Sequence, residues 1–137
     1  AISSSPDAKF PSPLLVLAAT RGRMMEQLAT AWSGASDEVH DRAFLTGILS
    51  LVSALLGVPL SDVLKTLPLP DEVRLALLDR SGTLGDMLRL VELVEQTDVP
   101  AIAAMLSRIP SLEATTVNKA YVDAIEWANR IGEISPG

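Results

Sequence analysis

AFLTGILSLVSALLGVPLSDVLKTLPLPDEV, residues 43 to 73, decides the fold class of this chain. At 100° per residue, Phe44, Ile48, Leu51 and Leu55 fall on one side of a helix, flanked by Leu45, Leu49, Val52 and Leu56. The opposite stripe is small: Thr46, Ser50, Ser53 and Gly57, with Ala43, Gly47 and Ala54 beside it. A helix that is apolar on nearly every side has to be surrounded by other helices, so the segment predicts an all-α bundle organised around it. The small stripe admits a neighbouring helix at close range, and a tight intramolecular crossing is favoured there. The functional alternative makes Thr46, Gly47, Ser50, Ser53 and Gly57 a candidate interaction surface. A membrane span is disfavoured, because the run from Ala43 to Leu56 falls short of the ~20 residues required and hydroxyls interrupt it.

Working outward, residues 1 to 12 read as a polar, proline-punctuated lead-in, and 13 to 134 as one helical domain with a short tail at 135 to 137. Pro13 suits a first helical position, so helix 1 is expected from Pro13 to about Trp32, burying Leu14, Ala18, Met25, Leu28 and Trp32. Arg21 lies in the middle of that stripe. Ser33, Gly34 and Ala35 make a break, and Ser36 caps helix 2, which continues to Gly57. Pro59 and Ser61 open a short helix from Asp62 to Leu67; the next starts at Pro70 to Glu72 with Val73, Leu77 and Leu78 inward, and Ser81 and Gly82 close it. Thr83 and Asp86 have capping-box spacing before a helix from Leu84 to about Gln96, with Leu84, Met87, Leu88, Val91 and Val94 on its core side. Asp98 caps a helix with Ile102, Leu106 and Ile109 inward that Pro110 ends. Ser111 caps the last, Leu112 to Ile131, burying Val117, Tyr121, Ala124, Ile125, Ala128 and Ile131. About seven helices and no strand result: an irregular all-α bundle.

The 137 residues suit one domain able to bury a core without staples. With 4% aromatics against 48% hydrophobic residues, that core is aliphatic. The absence of cysteine removes disulfides and thiol chemistry, and fits a reducing, cytoplasmic setting. No signal peptide is visible. A net charge of −6 with scattered Lys and Arg argues against nucleic acid and anionic membranes as partners. The mean hydropathy of +0.32 is high for a soluble domain and points to apolar surface covered by something else.

Several pieces together carry a family likeness: Ala43 to Leu45 with Gly47, Ser50 to Leu51, Ala54 to Gly57, Pro59 to Leu60, Leu67 to Leu69, Val73, Ala76 to Leu78, and Gly82 with Leu84 to Gly85. They resemble the second half of the HDOD domain, the HD-related output domain of bacterial signalling proteins, in the form that follows an EAL-type cyclic-di-GMP phosphodiesterase domain. Arg21, Gly22 and Arg23 look like the arginine-containing helix that precedes this block, and Asn118, Tyr121, Ala124, Trp127 and Ala128 are similar to the closing helix. The likeness spans about residues 13 to 133. Ser53 stands where the family has an acidic residue, and EQTDV at 95 to 99 departs from its glycine-containing turn. The resemblance implies a non-catalytic output or regulatory domain working through a protein partner or neighbouring domain. Its alternative is the accessory part of a cyclic-di-GMP phosphodiesterase whose EAL domain lies outside this chain, which is then expected to be a fragment.

The residues themselves supply no reaction chemistry. His40-Asp41 is literally an HD dipeptide, yet a metal-dependent hydrolase needs several converging His and Asp ligands and the chain has 1 His and no Cys. Neither a metal, a cofactor nor a catalytic residue is expected. Glu92 and Glu95, three apart, read as a solvated face, and Met24, Met25, Met87 and Met105 as core filling. Arg21 and Asp41 each sit on a stripe that should be buried, so they are expected to form a buried pair, with helix C-terminal carbonyls as the second candidate partner for Arg21. The small-residue side of helix 2 and helix 1, if left uncovered in a fragment, predict a two-fold homodimer.

Overall fold

The computed structural model describes residues 13–33 and 36–134, and among them it is all-α, with eight helices and no strand. They are α1 (Pro13–Ser33), α2 (Asp37–Leu49), α3 (Val52–Leu56), α4 (Leu60–Lys65), α5 (Asp71–Asp79), α6 (Gly82–Glu95), α7 (Val99–Leu106) and α8 (Ala114–Ile134). The expected lead-in, tail and Gly34-Ala35 break lie outside the described residues.

Expected helix 2 is in fact two. The chain turns at Ser50 and Leu51, where Leu51 N–H bonds to Ile48 O rather than continuing the four-residue pattern. Ser50 Oγ also donates to Gly47 O at 2.6 Å, competing for the carbonyls that a straight helix would use. Ser36 and Asp98 cap α2 and α7 as expected, accepting from Val39 N–H and Ala101 N–H. Two caps do not form: α6 starts at Gly82 behind Ser81, ahead of the Thr83 spacing, and α8 starts at Ala114 while Ser111 Oγ donates to Trp32 O.

The centre of the bundle is α1, with α2, α6 and α8 antiparallel to it. Gly47 meets Arg21 and Gly22 while His40 meets Thr30; Glu95 meets Arg21; and Ser111 meets Trp32 while Trp127 meets Arg23. Met24, Met25, Leu28 and Ala29 of α1 are fully buried, as are Met87, Leu88 and Leu90 of α6 or nearly so. The methionines therefore fill the core. On α2 the deeply buried residues are Ala43, Thr46, Gly47 and Leu49, whereas Phe44, Leu45 and Ile48 are half-buried. The small stripe packs deepest because α1 needs it: a Cβ on Gly47 would lie 2.7 Å from the backbone of Arg21 and Gly22. Leu14, Leu78 and Ile131, expected inward, are exposed at the ends or outer faces of their helices.

Arginines tie the shorter helices to this core. Arg74 donates to Leu64 O and Leu67 O, satisfying carbonyls at the end of α4. Arg80, itself left-handed (φ 56°) at the end of α5, donates to Leu77 O at 2.7 Å and to Glu92 of α6. Gly85 fits beneath that turn, where a Cβ would approach the Arg80 carbonyl carbon to 2.2 Å. Arg42 pairs with Glu38 and with Glu72, joining α2 to α5.

Candidate functional site

Two constellations of polar groups stand out, and they differ in kind. The first is a ladder on α6. Arg21 Nε donates to Glu95 Oε2 at 2.8 Å and Nη2 to Oε1 at 2.6 Å, a two-pronged pair, while Nη1 reaches Ser50 Oγ at 3.0 Å. Both side chains are largely buried, at 11% and 14% exposure. One guanidinium thus joins α1, α6 and the turn after α2. Arg21 is buried and paired as its position demanded, but its partner is Glu95, and Asp41 is exposed. One turn along α6, Glu92 accepts from Arg80 Nε and Nη2 at 3.0 and 2.8 Å. Glu92 and Glu95 are therefore not a solvated face: the arginines that neutralise them come from other helices.

Burial pushes the Glu92 carboxyl upward, but the Arg80 hydrogen bond and charge, with Arg21 and Arg89 beyond, outweigh it and hold the carboxyl below its ordinary range. The hydrogen bond to Glu92 raises Arg80 in turn, against burial. A carboxyl lowered by folding contributes stability that is complete above its unfolded pKa, about 4.3, and is lost as pH falls through the lower folded value. Glu92→Gln is expected to be destabilised relative to the parent at pH 7, with the gap closing as urea unfolding is repeated toward pH 2. A gap independent of pH would assign the loss to packing instead.

The second constellation is an open groove of about 480 Å³ between α1, α2 and α8, lined by Arg23, Glu26, Asp41, Phe44, Leu45 and Trp127. Gly22 allows it, because Phe44 and Ile48 side chains pack at 3.0 Å from where its Cβ would be. Phe44 and Trp127 meet edge to face, centroids 6.0 Å apart and planes at 88°. The Arg23 guanidinium lies 5.4 Å from the Trp127 ring centre and pairs with Glu26 at 2.6 Å. Arg23 Nε is buried without a hydrogen-bond partner among the described residues. Asp41 stands at the rim with no ion pair or hydrogen bond among them.

Of the surface expected from the small stripe, Thr46 and Gly47 are wholly internal, Ser50 is engaged by Arg21, Gly57 is exposed, and the Ser53 side chain lies outside the described residues. The part of that stripe at Thr46 and Gly47 is thus covered by α1. Sequence reasoning noted Arg23 and Trp127 separately and missed their contact, for which no local signal exists; the Arg23–Glu26 spacing signals only the ion pair within α1. His40 Nε2 lies 2.7 Å from Thr30 Oγ1, and no group of three or more acidic or His side chains that could hold a metal occurs among the described residues. None of the described helices is long and apolar enough to cross a membrane.

Two known proteins resemble the chain in sequence. The chain is 28% identical over 134 residues to the cyclic di-GMP phosphodiesterase CdgJ of Vibrio cholerae, covering 98% of this chain and 30% of that protein. It is 27% identical over 118 residues to the uncharacterised protein YuxH of Bacillus subtilis, covering 86% of this chain and 27% of that protein. The chain therefore spans less than a third of the length of either relative. No family model matches the chain, and no solved structure does.

Proposed function

We propose that this chain is a non-catalytic regulatory domain of a cyclic-di-GMP signalling protein, of the HDOD type, acting through contacts with a protein partner or a neighbouring domain. The observation that carries the reading is the alignment of nearly the whole chain with less than a third of CdgJ. A segment of that proportion matches an accessory domain better than a complete enzyme. The residue inventory agrees with it: a single His, held against Thr30, offers no ligand set for a hydrolytic metal centre. A cytoplasmic setting belongs to the same reading and is supported by the cysteine-free composition. The name of the Vibrio relative favours a second form of it, in which the chain is the accessory part of a phosphodiesterase with its EAL domain elsewhere in the parent.

The purified chain, supplied with magnesium or manganese, is expected to leave cyclic di-GMP intact in a chromatographic assay. Turnover that tracks the protein through purification would overturn the non-catalytic reading. If the parent protein hydrolyses the nucleotide and the chain alone does not, the accessory form is favoured over a free-standing module.

A further inference from the structure

We propose that the groove between α1, α2 and α8 is where this domain takes its protein partner, and that the partner inserts an apolar side chain with a basic group beside it. The inference rests on reading the chain as a binding domain and adds which face binds and what it selects. The groove has a defined shape and an unmatched charge. The apolar lining is Phe44, Leu45 and Trp127, and about 480 Å³ accommodates one or two large side chains. Trp127 and Phe44 are braced edge to face, so they offer a rigid apolar surface that loses little freedom on docking. Trp and Arg are also among the residue types in which binding energy concentrates at interfaces.

Charge then selects among partners. The groove holds one cation, Arg23, and that cation is already neutralised by Glu26 and stacked on Trp127. Apart from the buried Arg23 Nε, what is left over is the carboxylate of Asp41, exposed and unpaired among the described residues. An acidic partner would meet Asp41 and Glu26 together; a lysine or arginine would meet Asp41 with its charge complementary. The net charge of −6 attracts a basic segment at longer range as well.

The test uses the described chain and a blocked helical peptide bearing leucine and lysine one turn apart on an alanine–glutamine scaffold, followed by the indole N–H signals in heteronuclear NMR. Trp127 reports the groove and Trp32, outside it, serves as the control. A saturable shift confined to Trp127 is expected, weakened roughly three- to tenfold by Asp41→Asn and by replacing the peptide lysine with glutamate, as for a pair at an interface rim. Asp41 is exposed and contacts no partner, so the variant is expected to keep the parent's Trp32 signal. Several results would overturn the proposal: no saturable shift at millimolar peptide, a shift indifferent to Asp41→Asn, or preference for the glutamate peptide. A Trp127 shift that follows protein concentration without peptide would equally overturn it, by making a second copy the occupant. Each of these leaves the non-catalytic reading standing, whereas nucleotide turnover would remove that reading without bearing on the groove.

Discussion

Arg21→Met is expected to lower the stability of the chain by about 3–5 kcal/mol, because it strands the Glu95 carboxylate in a site built around a guanidinium. The geometry gives the reason. Glu95 is 14% exposed and receives both of its short hydrogen bonds from Arg21. Methionine matches the arginine stem in length but donates nothing, and Ser50 Oγ loses a donor in the same step. The loss need not mean that the pair is stabilising relative to an apolar core. Two charges taken from water recover through mutual attraction roughly what desolvation costs, so replacing both by apolar residues is often neutral. Arg21→Met with Glu95→Leu is therefore expected to regain most of the stability lost by the single change. Urea unfolding of both single variants, the double variant and the parent measures this directly. If Arg21→Met unfolds with the parent, the bond network contributes no stability; if the double variant is no better than the singles, the loss is one of shape.

Gly47→Ala is expected to cost about 1–3 kcal/mol even though alanine is the better helix former by roughly 1 kcal/mol. The new methyl would lie 2.7 Å from the carbonyl group of Arg21 and the Cα of Gly22, and backbone cannot swing aside as a side chain does. The helices α1 and α2 would have to separate along their crossing, loosening Met25, Leu28 and Ala43 together. Gly22→Ala, on the other side of the same crossing, is expected to cost less. Its nearest neighbours at 3.0 Å are the movable side chains of Phe44 and Ile48. Thermal unfolding of the two variants should rank them in that order. The reverse order would mean that the α1–α2 crossing is not tightest at Gly47.

The same crossing shows how far residues alone reached. Periodicity and punctuation located each described helix except α3, which they ran together with α2, since apolar spacing and Gly, Pro and cap residues act within a turn or two of where they stand. They missed the break at Ser50, because the hydroxyl that helps bend the chain there is also an acceptor for an arginine 29 residues away. They also centred the bundle on the wrong helix. The bulky arc of α2 looked like the natural core, and in a helix taken alone greater apolar area does mean greater gain on burial. The molecule instead uses the small stripe, where backbones come closest and dispersion contacts are densest. Phe44, Leu45 and Ile48 of the bulky arc are left half-buried, Phe44 against Trp127 of α8.

All-α class, an aliphatic core, its methionine fillers, the caps at Ser36 and Asp98 and the need to bury and pair Arg21 were determined by the sequence itself, since each follows from local pattern or from the cost of an unpaired charge. Tertiary structure alone decided which carboxylate answers Arg21, that Glu92 and Glu95 face arginines rather than water, and that Arg23, Phe44, Trp127 and Asp41 share one groove. Arg21 and Glu95 are separated by 74 positions in the chain. Several acidic residues could have met that arginine at equal local cost, and only the antiparallel run of α6 along α1 brings this one within 2.6 Å.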